Sequence, residues 1–349
     1  MDILGIGNAL IDIFCFSDDE TALSLGLHPN QAIHVTSERL DELLLAVPSR
    51  ISVSGGSASN SVKAAAALGA SCAFIGCVGT EDRERDIWGH IFAKELKAFG
   101  VQCVLENRKE TSGRCLVIHM PGGLKSIACA PGAAPTIHPD QIAPDLLTRA
   151  KIVHLDGQVL RNAAVTDRII SLCKEHDILL TIDGASSDII STYTDKIHDI
   201  LMHLNCILFL NDNEALTLAK SLEEGTASTD TGLQTADEYI DTVLSFLAPK
   251  KRHFPCIVQK KGQNGAKAWM EGEVYEAPTD GIANPLDDTG AGDTFDGAFL
   301  AAWLNKATLV KCLAFGNSAA REVLMVPGTR LDEQCFASLR KDKLPGKHL

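Results

Sequence analysis

The feature that most constrains the fold is a regular alternation of short apolar runs with amphipathic segments. The runs are continuous and apolar, whereas the segments between them repeat apolar residues at helical spacing. Strands buried on both faces and separated by helices are typical of a mostly parallel sheet covered by helices on each side. The predicted strands are Ile3–Gly7, Ala73–Val78, Ile152–Leu155, Leu179–Asp183, Ile207–Leu210 and Cys256–Gln259. The predicted helices lie near Ser59–Leu68, Asp86–Phe99, Ala163–His176, Glu214–Lys220, Ala236–Leu247, Thr294–Leu304 and Leu309–Val323.

Two segments interrupt this alternation. Arg114–Met120 and Leu124–Ala130 flank MPGG, where Pro121 precedes Gly122, and this pattern predicts a hairpin. The region Asp18–Val35 is too short and too β-like to be a crossover helix. We expect these segments to form a small sheet that projects from the α/β core as a lid.

Charge and cysteine content exclude several classes of function. The formal net charge is −13, and no basic run exceeds Lys250-Lys251-Arg252, so neither nucleic acid nor an anionic membrane is an expected partner. The eleven cysteines include no CxxC pair and lie mostly in apolar stretches, which predicts a reduced, cytoplasmic chain without structural zinc. The first residues carry Asp2 and Asp12 and no basic segment, so a signal peptide is not expected.

The stretch LDDTGAGDTF, Leu286 to Phe295, joins a glycine-rich loop to an apolar helix. Asp293 by itself is typical of a helix N-cap, with Asp296 as an imperfect capping-box partner. A cap does not require glycines before it, whereas a phosphate does, because side chains would block its approach to the amides at a helix N-terminus. A carboxylate beside that phosphate would accept a proton from an attacking hydroxyl.

A second glycine pair precedes another predicted helix in VSGGSASNSVK. The plain interpretation is a glycine turn with a serine cap. The functional interpretation is that Gly55 and Gly56 let a ligand lie against the backbone, while Asn60 offers a donor and an acceptor to hydroxyl groups. Asp12, just past the first predicted strand, is either a solvated loop acid or a carboxylate that bridges adjacent hydroxyls.

These segments together resemble the ribokinase-like, or PfkB, family of carbohydrate and nucleoside kinases. GGSASN is similar to the first family signature, DDTGAGDTF to the second, and NDNE to the family's N-x-x-E. The likeness covers nearly the whole chain in order, and GIGNALID, LHPNQAI, GGSASNSVK and FIGCVG are most similar to the adenosine kinase branch. It implies a Rossmann-like three-layer α/β core with a mostly parallel sheet and a small β-sheet lid. The implied core is 1–14, 36–112 and 131–349, and the implied lid is 15–35 and 113–130.

The resemblance also implies an activity and a set of site residues. The activity is ATP-dependent transfer of a phosphoryl group, with Mg²⁺, to a hydroxymethyl group of a sugar or ribonucleoside. By matching position, Asp293 is the base, and the amides of Gly290, Ala291 and Gly292 form the anion hole. The implied substrate-binding residues are Asn8, Asp12, Gly55, Gly56 and Asn60. The implied nucleotide-binding residues are Asn211, Glu214, Lys260, Gly262, Gly265 and Asn317, and Glu214 would hold Mg²⁺ through water.

Several positions depart from the family pattern. Asp288 stands where the second signature usually has Thr, and Lys260 stands where many members have Thr. The segments expected to stack on adenine, DGQVLRN and DGASSDI, contain no Phe, Tyr or Trp, which favours a sugar over a purine. Arg114 either swings toward the phosphates or is a solvated strand-edge residue.

Two further interpretations remain beside the kinase. A binding module with the same fold would keep the pocket and lack turnover, since fold alone does not establish activity. A phosphosugar kinase would place a basic cluster near Asp12 and Asn60, where the sequence offers Lys63 alone. The expected partner is a small-molecule sugar or nucleoside, and the expected assembly is a monomer or a homodimer formed through the lid.

Overall fold

The computed structural model of the protein describes residues 1–47, 50–224, 240, 255–282, 285–326 and 333–346. Its strands are β1 (Ile3–Ile6), β2 (Leu10–Phe16), β3 (Ala32–His34), β4 (Arg50–Gly55), β5 (Cys72–Glu81), β6 (Glu84–Arg85), β7 (Gln102–Arg108), β8 (Gly113–His119), β9 (Lys125–Ala130), β10 (Ile152–Asp156), β11 (Leu179–Asp183), β12 (Cys206–Asn211), β13 (Pro255–Lys260), β14 (Ala266–Met270) and β15 (Glu273–Ala277). Its α-helices are α1 (Asp19–Ser24), α2 (Ser37–Ala46), α3 (Ser57–Ala67), α4 (Ile87–Ala98), α5 (Pro144–Leu147), α6 (Ala163–His176), α7 (Ser187–Thr192), α8 (Thr194–His203), α9 (Asp212–Glu224), α10 (Ala291–Leu304), α11 (Leu309–Val323) and α12 (Glu333–Ser338).

The central sheet has ten strands in the order β15-β14-β13-β12-β11-β10-β1-β5-β6, with β7 also paired to β5. The strands from β7 through β5, β1, β10, β11 and β12 to β13 are parallel, and β14 and β15 extend one edge as an antiparallel hairpin. Parallel strands end at the same edge of a sheet, so residues that follow them converge there. The predicted mostly parallel sheet is confirmed.

Helices cover both faces of this sheet, and this explains the continuous apolar strands. The helices α3, α10 and α11 pack one face through residues such as Val62, Phe299 and Leu313. The helices α6, α8 and α9 pack the other face, with Ile169 and Leu218 in the same core cluster. A strand such as β1, buried along its whole length, has no solvated face on which to place polar residues. The predicted three-layer α/β architecture is confirmed.

A second sheet has five strands in the order β3-β9-β8-β2-β4. The predicted hairpin is present as β8 and β9, paired antiparallel. The sheet also contains β2 and β4, which come from segments that the sequence analysis placed in the core. Asp12 on β2 and Gly55 at the end of β4 therefore belong to this sheet. The division into core and lid by residue number stays a prediction.

Two expectations concern the surroundings of this sheet. The region Asp18–Val35 joins the sheet as expected, through the pairing of β3 with β9, and it also contains the short helix α1, which begins where the Asp18 side chain accepts a hydrogen bond from the Thr21 amide. Arg114 is buried, donates to Asp41 and lies over the Trp88 ring at 5.4 Å, so it is not a solvated edge residue. The movement of Arg114 toward the phosphates stays a prediction.

The expectation of a fully reduced chain is also wrong. The structure pairs Cys115 on β8 with Cys129 on β9 as a disulfide, with their Cα atoms 4.1 Å apart. The two residues are register partners in the antiparallel β8–β9 pair. Their equal distance from Gly122 along the chain was the signal in the sequence that they face each other.

Two remaining findings concern helices. The helix predicted near Ala236–Leu247 lies outside the described residues, apart from residue 240. Among the described helices, none is both long and apolar enough to cross a lipid bilayer.

Candidate functional site

The start of α10 lies at the carboxyl edge of the central sheet and is open. Gly290 is the N-cap residue in a left-handed conformation, with φ of 77°, and no side chain caps the helix. Asp293 is the third residue of the helix rather than its cap, so the capping interpretation of Asp293 is wrong. The left-handed turn needs glycine at position 290, because a Cβ atom would strain it.

The two glycine-rich segments meet through one hydrogen bond. Asn60 Nδ2 donates to Asp293 Oδ2 at 2.8 Å, although the two residues are far apart in the sequence. Asn60 is buried, and its side-chain oxygen has no hydrogen-bond partner among the described residues. Asn60 therefore holds the Asp293 carboxylate with one end of its amide and keeps an acceptor at the other.

Asp12 and Asn8 join this pair through close approaches to the glycines. A Cβ atom on Gly55 would lie 2.2 Å from Asp12 Oδ2, and one on Gly56 would lie 2.2 Å from the Asn8 carbonyl oxygen. Gly56 also has a φ of 92°. Only glycine fits either position, so the GG pair is required to pack Asp12 and Asn8 against the start of α3.

Burial controls the charge of the two carboxylates. It raises the pKa of Asp293 to about 6, an effect reinforced by Asp183 and opposed by Asn60 and Lys260. It raises the pKa of Asp12 to about 7, with Lys63 opposing and Asp293 reinforcing. A carboxylate with a pKa near the working pH is suited to accept a proton and later release it.

The amides before Asp293 differ in availability. Within the described residues, the amides of Gly290 and Gly292 have no acceptor, whereas the Ala291 amide donates to the Asp288 carbonyl at 3.2 Å. Unpaired amides at a helix N-terminus carry partial positive charge and suit an anion. Gly290 and Gly292 are thus ready to bind an anion, and Ala291 would have to give up its turn hydrogen bond.

A cavity of about 380 Å³ opens on one side of these amides. Its walls include Ala291 and Gly292 from α10, and Asn317, whose Nδ2 donates to the Ala277 carbonyl at 2.9 Å. Lys260, Gly262 and Gly265 from the KKGQNG segment, residues 260–265, also line it. The structure therefore brings the predicted nucleotide-binding residues on β13 and α11 to one cavity beside the glycine loop.

A second cavity, of about 650 Å³, contains Asn8 and Leu10 in its wall and lies between the second sheet and the segment after β10. Its other walls include Gln158, Arg161 and Asn162 of DGQVLRN. None of the residues that line it is Phe, Tyr or Trp. A third cavity of about 590 Å³, lined by Phe99 and Arg340 among others, shares no residue with these two.

Asn211 and Glu214 form a reciprocal hydrogen-bonded pair at the junction of β12 and α9. Asn211 Oδ1 accepts from the Glu214 amide at 2.9 Å, and the Glu214 carboxylate accepts from the Asn211 amide and from its Nδ2. This is a capping box. No group of three His, Cys, Asp or Glu residues in the described chain is arranged to hold a metal directly. Glu214 can still accept hydrogen bonds from metal-bound water, because each carboxylate oxygen has a second lone pair, and that fits the expected indirect role toward Mg²⁺.

A buried group of charges that the sequence analysis did not identify lies behind the glycine loop. Lys260 Nζ donates to Asp183 Oδ2 at 2.7 Å and to Asp296 Oδ2 at 3.2 Å. In the sequence, DGASSDI is distinguished only by its lack of aromatic residues, and Asp296 only by its position as a possible cap partner. No spacing rule connects residues 183, 260 and 296, so sequence reasoning had no signal for this group.

Asp288, the other position that departs from the family pattern, pairs with a residue of the second sheet. Lys125 on β9 donates to Asp288 Oδ1, and both side chains are substantially exposed. Next to it, His119 Nε2 on β8 lies 3.4 Å from Asp287 Oδ2. These contacts join the second sheet to the loop that precedes Gly290.

Comparison with known proteins identifies the chain. A family model described as pfkB family carbohydrate kinase matches residues 19–334. The chain belongs to this family. The resemblance predicted from the two glycine signatures is confirmed, and relatives of this pfkB chain include both adenosine kinases and sugar kinases.

Among those relatives, adenosine kinase 2 of Arabidopsis thaliana is 25% identical, covering 95% of this chain and 96% of the relative. The ribokinase of Haemophilus influenzae is 26% identical over 76% of this chain and 79% of the relative. Two solved structures show the fold. A probable sugar kinase from Rhizobium etli has a TM-score of 0.83 and 22% identity, covering 99% of each chain. The adenosine kinase from Sinorhizobium meliloti has a TM-score of 0.81 and 21% identity, covering 97% of this chain and 98% of that one. The relatives thus divide between two acceptor classes.

Proposed function

We propose that this pfkB family member is an ATP-dependent kinase that phosphorylates a hydroxymethyl group of a sugar or ribonucleoside. The observation that supports it most is the Asn60–Asp293 hydrogen bond of 2.8 Å, which joins both glycine-rich segments at an open helix start. A cavity suited to a nucleotide contains Gly292, and a second one contains Asn8, which packs against Gly56 of the other segment. A donor and an acceptor would therefore meet at Asp293.

In the proposed reaction, Asp293 accepts the proton of the acceptor hydroxyl as its oxygen attacks the γ-phosphorus of ATP. Asn60 orients the Asp293 carboxylate, and Asp12 and Asn8 hold neighbouring groups of the acceptor. The amides of Gly290 and Gly292 stabilise the charge that develops on the transferring phosphoryl group. Phosphoryl transfer depends mostly on positioning and charge stabilisation, which these groups supply.

Magnesium would accompany ATP in this site. Glu214 and Asn211 would hold it through its water ligands, since Glu214 is buried and already oriented by Asn211. Bound there, Mg²⁺ would neutralise part of the phosphate charge.

The lining of the second cavity favours a sugar as the acceptor. A purine is usually held by aromatic stacking worth about 1–3 kcal/mol per base, but this cavity is lined by no Phe, Tyr or Trp, and its one aromatic ring is the imidazole of His34. Gln158, Arg161 and Asn162 offer hydrogen-bonding groups instead. An assay of ADP formation with ribose, fructose, 2-keto-3-deoxygluconate and adenosine tests this. We expect a higher kcat/KM for one of the non-aromatic acceptors, and a preference for adenosine would contradict the sugar assignment.

The Asp293→Asn substitution tests the base. Because Asn cannot accept the proton, kcat should fall by about 10³-fold or more, while ATP affinity stays near wild type and the variant stays folded. The matched control is Asp195→Asn, which neutralises an exposed carboxylate on α8 and should leave kcat unchanged. Wild-type turnover by Asp293→Asn would remove the base assignment.

The non-catalytic alternative is tested with the same panel. A binding module would show an acceptor-induced rise in melting temperature without ADP formation for any acceptor. ADP formation that depends on one acceptor excludes that alternative.

A further inference from the structure

Lys260 occupies a position between the nucleotide-side cavity and the first turn of α10. A Cβ atom on Gly292 would lie 3.3 Å from Lys260 Nζ and 3.8 Å from its Cε. Lys260 is also part of the cavity wall that contains Gly292. The ammonium group therefore lies against the backbone whose free amides face the expected phosphoryl position.

The hydrogen bonds of this ammonium group leave it one donor to spare. A lysine ammonium has three N–H donors. Two are directed to Asp183 Oδ2 at 2.7 Å and to Asp296 Oδ2 at 3.2 Å. The other oxygen of Asp296 also lies 3.2 Å from Nζ but makes no hydrogen bond within the described residues. The side chain is fixed by these two carboxyl groups and is only 14% exposed. A fixed ammonium with an unused donor is prepared to bind an anion without further ordering of its side chain.

The charges around Lys260 keep it protonated. Burial opposes its charge, but Asp183, Asp296 and Glu214 more than offset that, and the pKa of Lys260 rises above its ordinary value. Burial also opposes ionisation of Asp183, yet the Lys260 charge holds the Asp183 pKa below its ordinary value. Burial raises the pKa of Asp296 well above its ordinary value, which favours its protonated form. The charge of Lys260 is therefore balanced mainly by Asp183, whose pKa is lowered.

We propose that Lys260 is a catalytic residue that binds the γ-phosphoryl group of ATP together with the amides of Gly290 and Gly292. The inference rests on the proposed kinase function and deepens it. In the reaction, the bond between the γ-phosphorus and the β–γ bridging oxygen breaks as the bond to the acceptor oxygen forms. The acceptor proton goes to Asp293, ADP leaves, and Lys260 stays protonated throughout while it stabilises the transferring group.

A purely structural role for Lys260, as the counter-ion of Asp183, is the alternative to exclude. The two roles differ in what happens to ligands with and without a γ-phosphate. A counter-ion would affect ATP and ADP binding alike, whereas a γ-phosphoryl ligand distinguishes them.

The test uses the Lys260→Met variant and calorimetric titration with MgATP and MgADP. Loss of a charge-assisted hydrogen bond should weaken ATP binding by about 10-fold or more, with ADP affinity within about 2-fold of wild type. The kcat for the acceptor used by the wild-type enzyme should fall by about 100-fold. The control Lys267→Met removes a lysine that pairs with Glu276 on the outer hairpin. It should change neither the ratio of ATP affinity to ADP affinity nor kcat.

The double variant Lys260→Met/Asp183→Asn keeps the test valid if the single variant fails to fold. It removes the lone anion that Lys260→Met would leave buried. If Lys260 binds the γ-phosphoryl, the double variant folds and still lacks the ATP-over-ADP preference. If the double variant regains wild-type kcat and the wild-type preference, Lys260 is only a counter-ion and the proposal is overturned. Absence of turnover in the wild-type protein would refute the proposed function alone, because the ratio of ATP to ADP affinity still tests Lys260.

Discussion

Lys63 and Lys260 are both removed from water near Asp293, yet their surroundings differ. Lys63 is 1% exposed and reaches Ser54 and Glu95, a carboxylate that is itself 23% exposed. Lys260 is 14% exposed and reaches two carboxyl groups that are almost fully buried. Burial is the largest influence on both lysines, and it lowers the pKa of Lys63, whereas the partners of Lys260 raise its pKa.

Burial alone therefore does not determine how a lysine affects the stability of the fold. Lys63 carries a burial penalty that its partners do not fully offset, so its charge is a local cost in the folded state. Lys260 neutralises an anion that has no access to water, so the fold depends on its charge. The acceptor side of the site therefore tolerates the loss of its lysine better than the nucleotide side.

The largest predicted effect is on stability, and the same substitution is made on each side. Lys260→Met leaves Asp183 unpaired in the interior and should lower the free energy of unfolding by about 3–5 kcal/mol. Lys63→Met removes a penalised charge along with its hydrogen bonds, and should change the free energy of unfolding by less than about 1 kcal/mol. Urea denaturation at pH 7 measures both values. Equal decreases in the free energy of unfolding of the two variants would contradict the proposed difference between Lys63 and Lys260.

An intermediate effect on the free energy of unfolding is expected for substitution of Asp293, which lies near both lysines. The folded pKa of Asp293, about 6, exceeds its ordinary value of 3.8, so ionised Asp293 destabilises the fold above pH 6 and the penalty fades as the pH falls. Asp293→Asn should therefore increase the free energy of unfolding by about 1–3 kcal/mol at pH 8, with a smaller increase at pH 5. Denaturation curves across this range check the sign.

The matched control for this pH series is Asp167→Asn, an exposed carboxylate paired with Lys196. This control should show no increase in the free energy of unfolding that grows with pH. An increase for Asp293→Asn that was larger at pH 5 than at pH 8 would contradict the raised pKa of Asp293.

The smallest effect is expected where water screens the charges. Lys125 and Asp288 are 31% and 68% exposed, so either substitution should change the free energy of unfolding by less than about 1 kcal/mol. Their effects on KM for ATP should have opposite signs, because Asp288→Thr removes a negative charge beside Gly290 and Lys125→Met leaves that charge uncompensated. We expect a decrease of about 2-fold for the first and an increase of about 2-fold for the second. Steady-state kinetics at low ionic strength measures this, and changes in the same direction would show that the pair acts through the position of the second sheet instead.

Much of the fold was predictable because its signals are local. The strands β1 and β12 are short, largely apolar runs. Helix α6 begins and ends at the residues that its periodicity indicates, with Asn162 as its cap. The sequence signal was weaker for β2 and β4. These strands become recognisable only through their pairing with each other and with β8, which the sequence does not encode locally.

For the candidate site, the sequence supplied the residues but not all of their relations. Asn60 and Asp293 were predicted to act together from two glycine signatures, and their hydrogen bond was then found in the structure. Arg114 was assigned a swinging or solvated role because its partner, Asp41, lies on a distant helix. The resemblance implies that Lys260 binds the nucleotide, but it does not predict the pairing of Lys260 with Asp183 and Asp296, since these partners are separated from it by long stretches of chain.

The sequence by itself determined the layered α/β fold, the family and the open helix start at Gly290, because periodicity and glycine placement act over a few residues. The tertiary structure alone decided which charges are paired in the interior. Electrostatic energies depend on distance and on exclusion from water, and residues 183, 260 and 296 acquire both only when β11, β13 and α10 are packed together.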